Sequence, residues 1–306
     1  MKNILLFLLL LSLYSCGILH FTKEEKANTK TEDEVIIAND YELIKVSDQK
    51  ALLILFPGFG ASAESTKTEF NILDAASKNN VAVLLMNFNQ HLYLKENELK
   101  ELSQLLSTII KDNHLKTGNT YIGGYSSGGN VSLLLTNHLV KTKARIKPKG
   151  VFIVDSPVDL IELYKLSLKN IERNFSEPSI QEAKWLVSIF ESEFGKPEQG
   201  IEKYEQYSPF TSATNNIKNV YSLDGLKIRF YTEPDTIWWK NNRQNEVEDM
   251  NAFSIEKLAI EMMKSLKNSK VEFIETKNRG YRANGERHPH SWSIVDEKEL
   301  ISWMLN

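Results

Sequence analysis

From residue 51 to the C-terminus the chain alternates short, nearly unbroken apolar runs with longer segments whose apolar residues recur at helical spacing. Residues 51–56 (ALLILF), 81–87 (VAVLLMN), 120–123 (TYIG), 151–154 (VFIV), 227–231 (KIRFY) and 271–274 (VEFI) are strand candidates. Runs apolar at almost every position, rather than every second one, suit strands covered on both faces, as in a parallel sheet. Helical periodicity occupies about 64–79, 94–113, 128–141, 254–268 and 295–305. Strand and helix taking turns predicts an α/β architecture, a mostly parallel central sheet flanked by helices.

One interval breaks this rhythm. Residues 159–224 contain no clear strand but show helical patterns at 160–174, 179–194 and 198–204. Ser179 followed by Glu182 fits a capping box, and Gly195 with Pro197 fits a helix stop. The interval reads as a helical insertion and a candidate lid. Its aromatic residues Phe175, Trp185, Phe190 and Phe194 read as helix-packing residues.

The N-terminus follows a different pattern. Lys2 precedes an apolar run at 4–11 that is too short for the roughly 20 residues a spanning helix needs. A positive start, a short apolar core and a small residue before a cut make a signal peptide over 1–15. Leu13-Tyr14-Ser15-Cys16 resembles a bacterial lipobox, with Tyr14 where a small residue is usual, and the resemblance implies lipidation of Cys16. The charged stretch 16–39 cannot bury enough apolar surface to offset its ordering entropy and reads as a lipidated tether, leaving 40–306 as the folded domain. The expectation is an exported bacterial lipoprotein, anchored to a membrane of the cell envelope through its lipid.

Composition narrows the chemistry. Among 306 residues, 37 Lys plus Arg stand against 40 Asp plus Glu, which gives no basic face for nucleic acid. Cys16 is the single cysteine, so neither an intramolecular disulfide nor a CxxC metal site can form.

The strongest local signal is Gly124-Tyr125-Ser126-Ser127-Gly128, between a strand pattern and a helix pattern. A nucleophile elbow needs this arrangement: the serine sits on a strained turn above the sheet, and glycines two residues to either side let neighbouring backbones approach. The frame selects Ser126, since Ser127 would have Tyr125 where the first glycine is required. A second turn, Pro57-Gly58-Phe59-Gly60, follows residues 51–56 and can aim a backbone N–H at the space over Ser126. The expected oxyanion donors are the amides of Phe59, with Gly60 as alternative, and of Ser127.

With these two turns the chain resembles the α/β-hydrolase superfamily of serine esterases, lipases and peptidases from about Ala51 onward, with Pro57 where the family's oxyanion loop usually has His. The resemblance implies an α/β-hydrolase fold and a nucleophile followed along the chain by an acid and a histidine. Of the histidines after Ser126, His138 falls in the helix following the elbow, whereas His288 and His290 lie in a loop beyond the last strand candidate. His290-Ser291-Trp292 looks like the His-x-Trp of related esterases and selects His290 as base, with His288 as alternative. Asp235, in the turn after 227–231, is the first choice for the acid, and Asp155 and Glu233 are alternatives. Trp238, Trp239, Arg279, Tyr281, Arg282 and Arg287 are placed to line a pocket; the aromatics would suit an acyl or aryl group, an arginine a carboxylate or phosphate. The implied activity is hydrolysis of a small-molecule carboxylic ester, or less readily an amide, without metal or cofactor. An acyltransferase on the same scaffold, or an inactive hydrolase fold used as a surface binding protein, are the alternatives.

Overall fold

The structure is a computed structural model and describes residues 33–306. The expected signal peptide, Cys16 and most of the tether lie outside the described residues. Among those described, eight strands form one sheet: β1 (Glu34–Ile37), β2 (Tyr41–Lys45), β3 (Ala51–Phe56), β4 (Val81–Met86), β5 (Thr120–Tyr125), β6 (Pro148–Val154), β7 (Lys227–Thr232) and β8 (Lys270–Glu275). Their order is β1-β2-β4-β3-β5-β6-β7-β8, with β3 to β8 mutually parallel and the β1–β2 hairpin antiparallel at one edge.

The continuous apolar runs are explained by which face each residue serves. In β3 and β4, Leu53, Leu55, Val81, Val83 and Leu85 pack on one side, with residues of α1 (Ala63–Glu69), α2 (Ile72–Lys78) and α10 (Glu297–Leu305). Leu52, Ile54, Ala82, Leu84 and Met86 pack on the other, with α3 (Glu96–Asp112) and α4 (Ser127–Lys141). Each such side chain taken out of water contributes about 1.5–3 kcal/mol, so a charge in either row would be costly. Farther along the sheet, α9 (Asn251–Ser265) covers Val151, Ile153, Ile228 and Phe230.

Three details depart from the sequence reading. β1 lies within the stretch read as tether: Val35 pairs with Ile44, and the hairpin turns at Asn39-Asp40 with the Ala38 amide donating to the Tyr41 carbonyl at 2.9 Å. The helix expected over 64–79 is two helices, because Phe70 leaves the helical conformation at φ −121° and buries its ring in the core. The insertion contains α5 (Leu160–Arg173), α6 (Glu177–Glu193) and α7 (Glu202–Tyr207). Here α6 starts two residues before Ser179, with Pro178 in its first turn, where the missing N–H costs nothing, so Ser179 and Glu182 are helical residues rather than a cap. One further helix, α8 (Thr236–Arg243), follows β7.

Candidate active site

Ser126 joins the end of β5 to the start of α4 with φ 54° and ψ −127°, a conformation that an L-residue adopts only when its surroundings impose it. The surroundings explain the glycines. A Cβ on Gly124 would lie 2.0 Å from the Gly128 carbonyl oxygen, and one on Gly128 would lie 2.2 Å from the Pro57 oxygen. The elbow and the Pro57-Gly58 turn are thus pressed backbone to backbone. A Cβ on Gly58 would meet the Tyr125 ring at 3.1 Å and the Ser126 Cβ at 3.4 Å, so the turn passes beside the serine.

Asp155 follows β6, the strand next to β5, and Val154 lies opposite Tyr125 in register. The Ser126 amide donates to the Val154 carbonyl at 2.9 Å, which sets Ser126 and Asp155 side by side at the same edge of the sheet. Asp155 also has a positive φ, 45°; its amide donates to the Tyr231 carbonyl at 2.9 Å, and Asn251 donates to its carbonyl at 3.0 Å. Its buried carboxylate accepts a hydrogen bond from His290 Nδ1 at 2.6 Å. An ionised carboxylate can only accept, so Nδ1 carries the proton there and Nε2 presents a lone pair when the ring is neutral.

The His290 loop is tied down from beneath. Tyr125 donates its hydroxyl to the His290 carbonyl at 2.8 Å, and its ring lies 4.6 Å from the imidazole. Burial pushes the Tyr125 pKa up, keeping the hydroxyl protonated as a donor. Two residues on, Trp292 is buried and stacks on Phe70 at 4.6 Å, anchoring the loop in the core.

The structure therefore brings Asp155, rather than Asp235 or Glu233, to His290. Asp235 does follow β7, but its oxygens are committed elsewhere: Oδ1 caps α8 through the Trp238 amide at 2.9 Å and Oδ2 binds Arg287 at 2.6 Å. Buried Glu233 accepts from the amides of Arg279 and Gly280 at 2.9 and 3.1 Å, from Thr276 Oγ1 at 2.9 Å, and from Arg287 at 2.6 Å. Both carboxylates hold the 280s loop that carries the histidine. His288 has no carboxylate partner among the described residues; it packs against Trp238 and Trp239 at 4.8 and 6.1 Å, and burial lowers its pKa to about 3. Among the described residues, no group of three or more His, Cys, Asp or Glu is arranged to hold a metal ion.

The turn expected to supply an oxyanion donor is closed by the Ala61 amide on the Gly58 carbonyl at 3.0 Å, with Gly60 at φ 73°. Gly60 is corrected as an alternative donor, because its N–H is already given to the Asn89 carbonyl at 2.8 Å. The Phe59 amide has no acceptor among the described residues. The Ser127 amide opens α4, where the first N–H groups lack intrahelical acceptors.

Ser126, Ser127, Phe59 and His290 line one cavity of 340 Å³. Ser126 and His290 share its wall without a hydrogen bond between them, as such pairs often do before substrate binds. Helices α5 and α6 of the insertion supply Leu163, Leu166, Trp185 and Leu186 to the same wall. Phe190 and Phe194 are buried between the insertion helices as expected from their spacing, whereas Trp185 is 39% exposed and meets Phe59 at 4.7 Å across the cavity. Arg243, at the end of α8, also lines the cavity and gave no motif in the sequence.

Neither a protein-family profile nor a curated protein sequence matches the chain. Its fold does match solved structures. These include an esterase/lipase from an uncultured bacterium (TM-score 0.54, 13% identity, covering 90% of this chain and 86% of that one). An esterase of the bacterial hormone-sensitive lipase family (0.53, 12%, 90% and 83%) and an arylesterase (0.53, 13%, 90% and 82%) are also similar. At these identities the likeness is one of fold, and the fold is that of the α/β hydrolases.

Proposed function

We propose that this protein is a serine hydrolase that cleaves carboxylic esters through an acyl-enzyme on Ser126. The observation that carries the reading is the Asp155–His290 hydrogen bond of 2.6 Å beside a serine held at φ 54° on a strand-to-helix elbow. In this reading His290 Nε2 takes the Ser126 proton as Oγ attacks the ester carbonyl. The Phe59 and Ser127 amides receive the developing oxyanion, each contributing about 3 kcal/mol to the transition state. The proton then passes to the departing alkoxide, and a water activated by the same nitrogen releases the acid and restores the serine. Asp155 fixes the tautomer and stabilises the imidazolium without taking the proton. The esterases of the same fold support this choice of bond over others. The insertion helices serve as the cavity's lid, and Cys16, outside the described residues, carries the lipid that anchors the enzyme at the cell envelope.

Nitrophenyl acetate and longer acyl esters test the activity directly. Turnover by the wild type that is abolished in Ser126→Ala supports it, and equal turnover by both proteins excludes Ser126 as nucleophile.

A further inference from the structure

The described arginines divide into three groups. Arg173 pairs with Asp249, Arg229 with Glu272 and Glu299, Arg279 with Asp296, and Arg287 with Glu233 and Asp235. Arg145 is exposed. The two half-buried arginines that pair with no carboxylate among the described residues, Arg243 and Arg282, both line the cavity that contains Ser126 and His290. Arg282 lies beside the Tyr125 hydroxyl, a neutral neighbour.

A guanidinium partly withdrawn from water without a counter-ion is unfavourable, and a chain with 40 Asp plus Glu has carboxylates that could relieve it. The acidic groups on this wall do not do so. Asp249 is already held by Lys169 at 2.7 Å and Arg173 at 2.5 Å, and Glu182 is exposed on α6. The two elements that carry these cations are also tied to each other. Asp235 caps α8, whose last residue is Arg243, and the same carboxylate binds Arg287. Arg287 in turn closes the tight turn holding Arg282, whose amide donates to the Glu286 carbonyl at 2.8 Å. The carboxylate expected to orient the histidine thus joins the two elements that carry unpaired positive charge into the cavity.

Resting on the hydrolase reading above, we infer that the site is selective for esters that also carry a carboxylate, which Arg243 and Arg282 bind while the ester carbonyl lies over Ser126. The planar guanidinium matches a carboxylate with two parallel hydrogen bonds, and a cavity of 340 Å³ accommodates a small ester with both groups.

The test compares the mono-nitrophenyl ester of glutaric acid, with its charge on the acyl side, and 4-butyryloxybenzoate, with its charge on the alcohol side, against neutral esters of matched length. At least one anionic ester should exceed its neutral counterpart in kcat/KM by about 10-fold or more, the usual scale of a charge-assisted hydrogen bond. Which one does so locates the carboxylate. Arg243→Gln and Arg282→Gln should each reduce that ratio, Arg282→Lys should reduce it less, and Arg145→Gln, which removes an exposed positive charge outside the cavity, should leave it in place. Wild-type ratios of one or below for both anionic esters would overturn the inference. Calorimetric binding of glutarate to Ser126→Ala protein separates this from the hydrolase reading, because it needs no turnover: binding that weakens with Arg243→Gln or Arg282→Gln supports the anion site even if no ester is cleaved, and no binding refutes it.

Discussion

Replacing Asp155 by asparagine changes almost nothing in volume and one thing in chemistry. The carboxylate that accepts from His290 Nδ1 at 2.6 Å becomes an amide that can present its NH₂ group to that nitrogen. The imidazole then favours the tautomer with its proton on Nε2, where the lone pair is needed for Ser126, and the imidazolium loses its counter-charge. For a triad acid this costs about 10⁴ in kcat, or roughly 5.5 kcal/mol of transition-state stabilisation. Asp235→Asn is the matched control. Asparagine caps a helix about as well as aspartate, and the lost Arg287 contact is a partly exposed ion pair, 20% and 25% accessible, worth about 1 kcal/mol or less while Arg287 retains Glu233. The control should therefore keep kcat within about 10-fold of wild type. Steady-state kinetics on a neutral nitrophenyl ester, with thermal melts to confirm that both variants fold, makes the comparison. A large loss in Asp235→Asn alongside near-normal Asp155→Asn would refute the reasoning and return the acid's role to the turn after β7.

Other consequences can be checked independently. Phe59→Pro removes the amide donor while suiting the second position of its turn, so kcat should fall by about 10²–10³; Phe59→Ala, which removes only the ring on Trp185, should retain most activity, and equal losses in the two would place the effect in the side chain. Gly128→Ala would drive a Cβ to 2.2 Å from the Pro57 oxygen and 2.5 Å from the Phe56 oxygen, both backbone atoms, so it should cost about 3 kcal/mol and lower Tm by roughly 6–12 °C. An unchanged melt would show that the turn and elbow are not pressed together. His288, held at a pKa of about 3 in the folded protein against 6.5 when free, remains unprotonated where the unfolded chain binds a proton. Stability should therefore fall as the pH drops from about 6.5 toward 3, and His288→Phe should flatten that decline in urea midpoints; an unaltered slope would contradict the assignment.

The parallel part of the sheet was legible because the apolar runs of β3 to β7 supply two buried faces at once, a demand that few other structures make. The edge strand β1 was not: Val35 and Ile37 are 58% and 72% exposed, and no residue of the strand is fully buried to mark it in the sequence. The elbow could be read from Gly124 and Gly128 because steric exclusion acts on residue identity. The carboxylate that meets His290 could not, since Asp155, Glu233 and Asp235 all follow strands at the same edge, and the choice depends on which of them is left uncommitted by helix caps, backbone amides and Arg287. Chain order alone does not record that β6 lies next to β5. Arg243 escaped notice because it belongs to no motif and lines the cavity from the end of α8, a helix that no periodicity had marked.

A Ser126 made nucleophilic by its setting should form a covalent adduct with a phosphonylating reagent. Incubating the protein with a fluorophosphonate and mapping the adduct by peptide mass spectrometry tests it most directly. One adduct is expected, on Ser126, absent from Ser126→Ala and strongly slowed in His290→Ala. Labelling at another residue, or equal labelling of the wild type and Ser126→Ala, would contradict it.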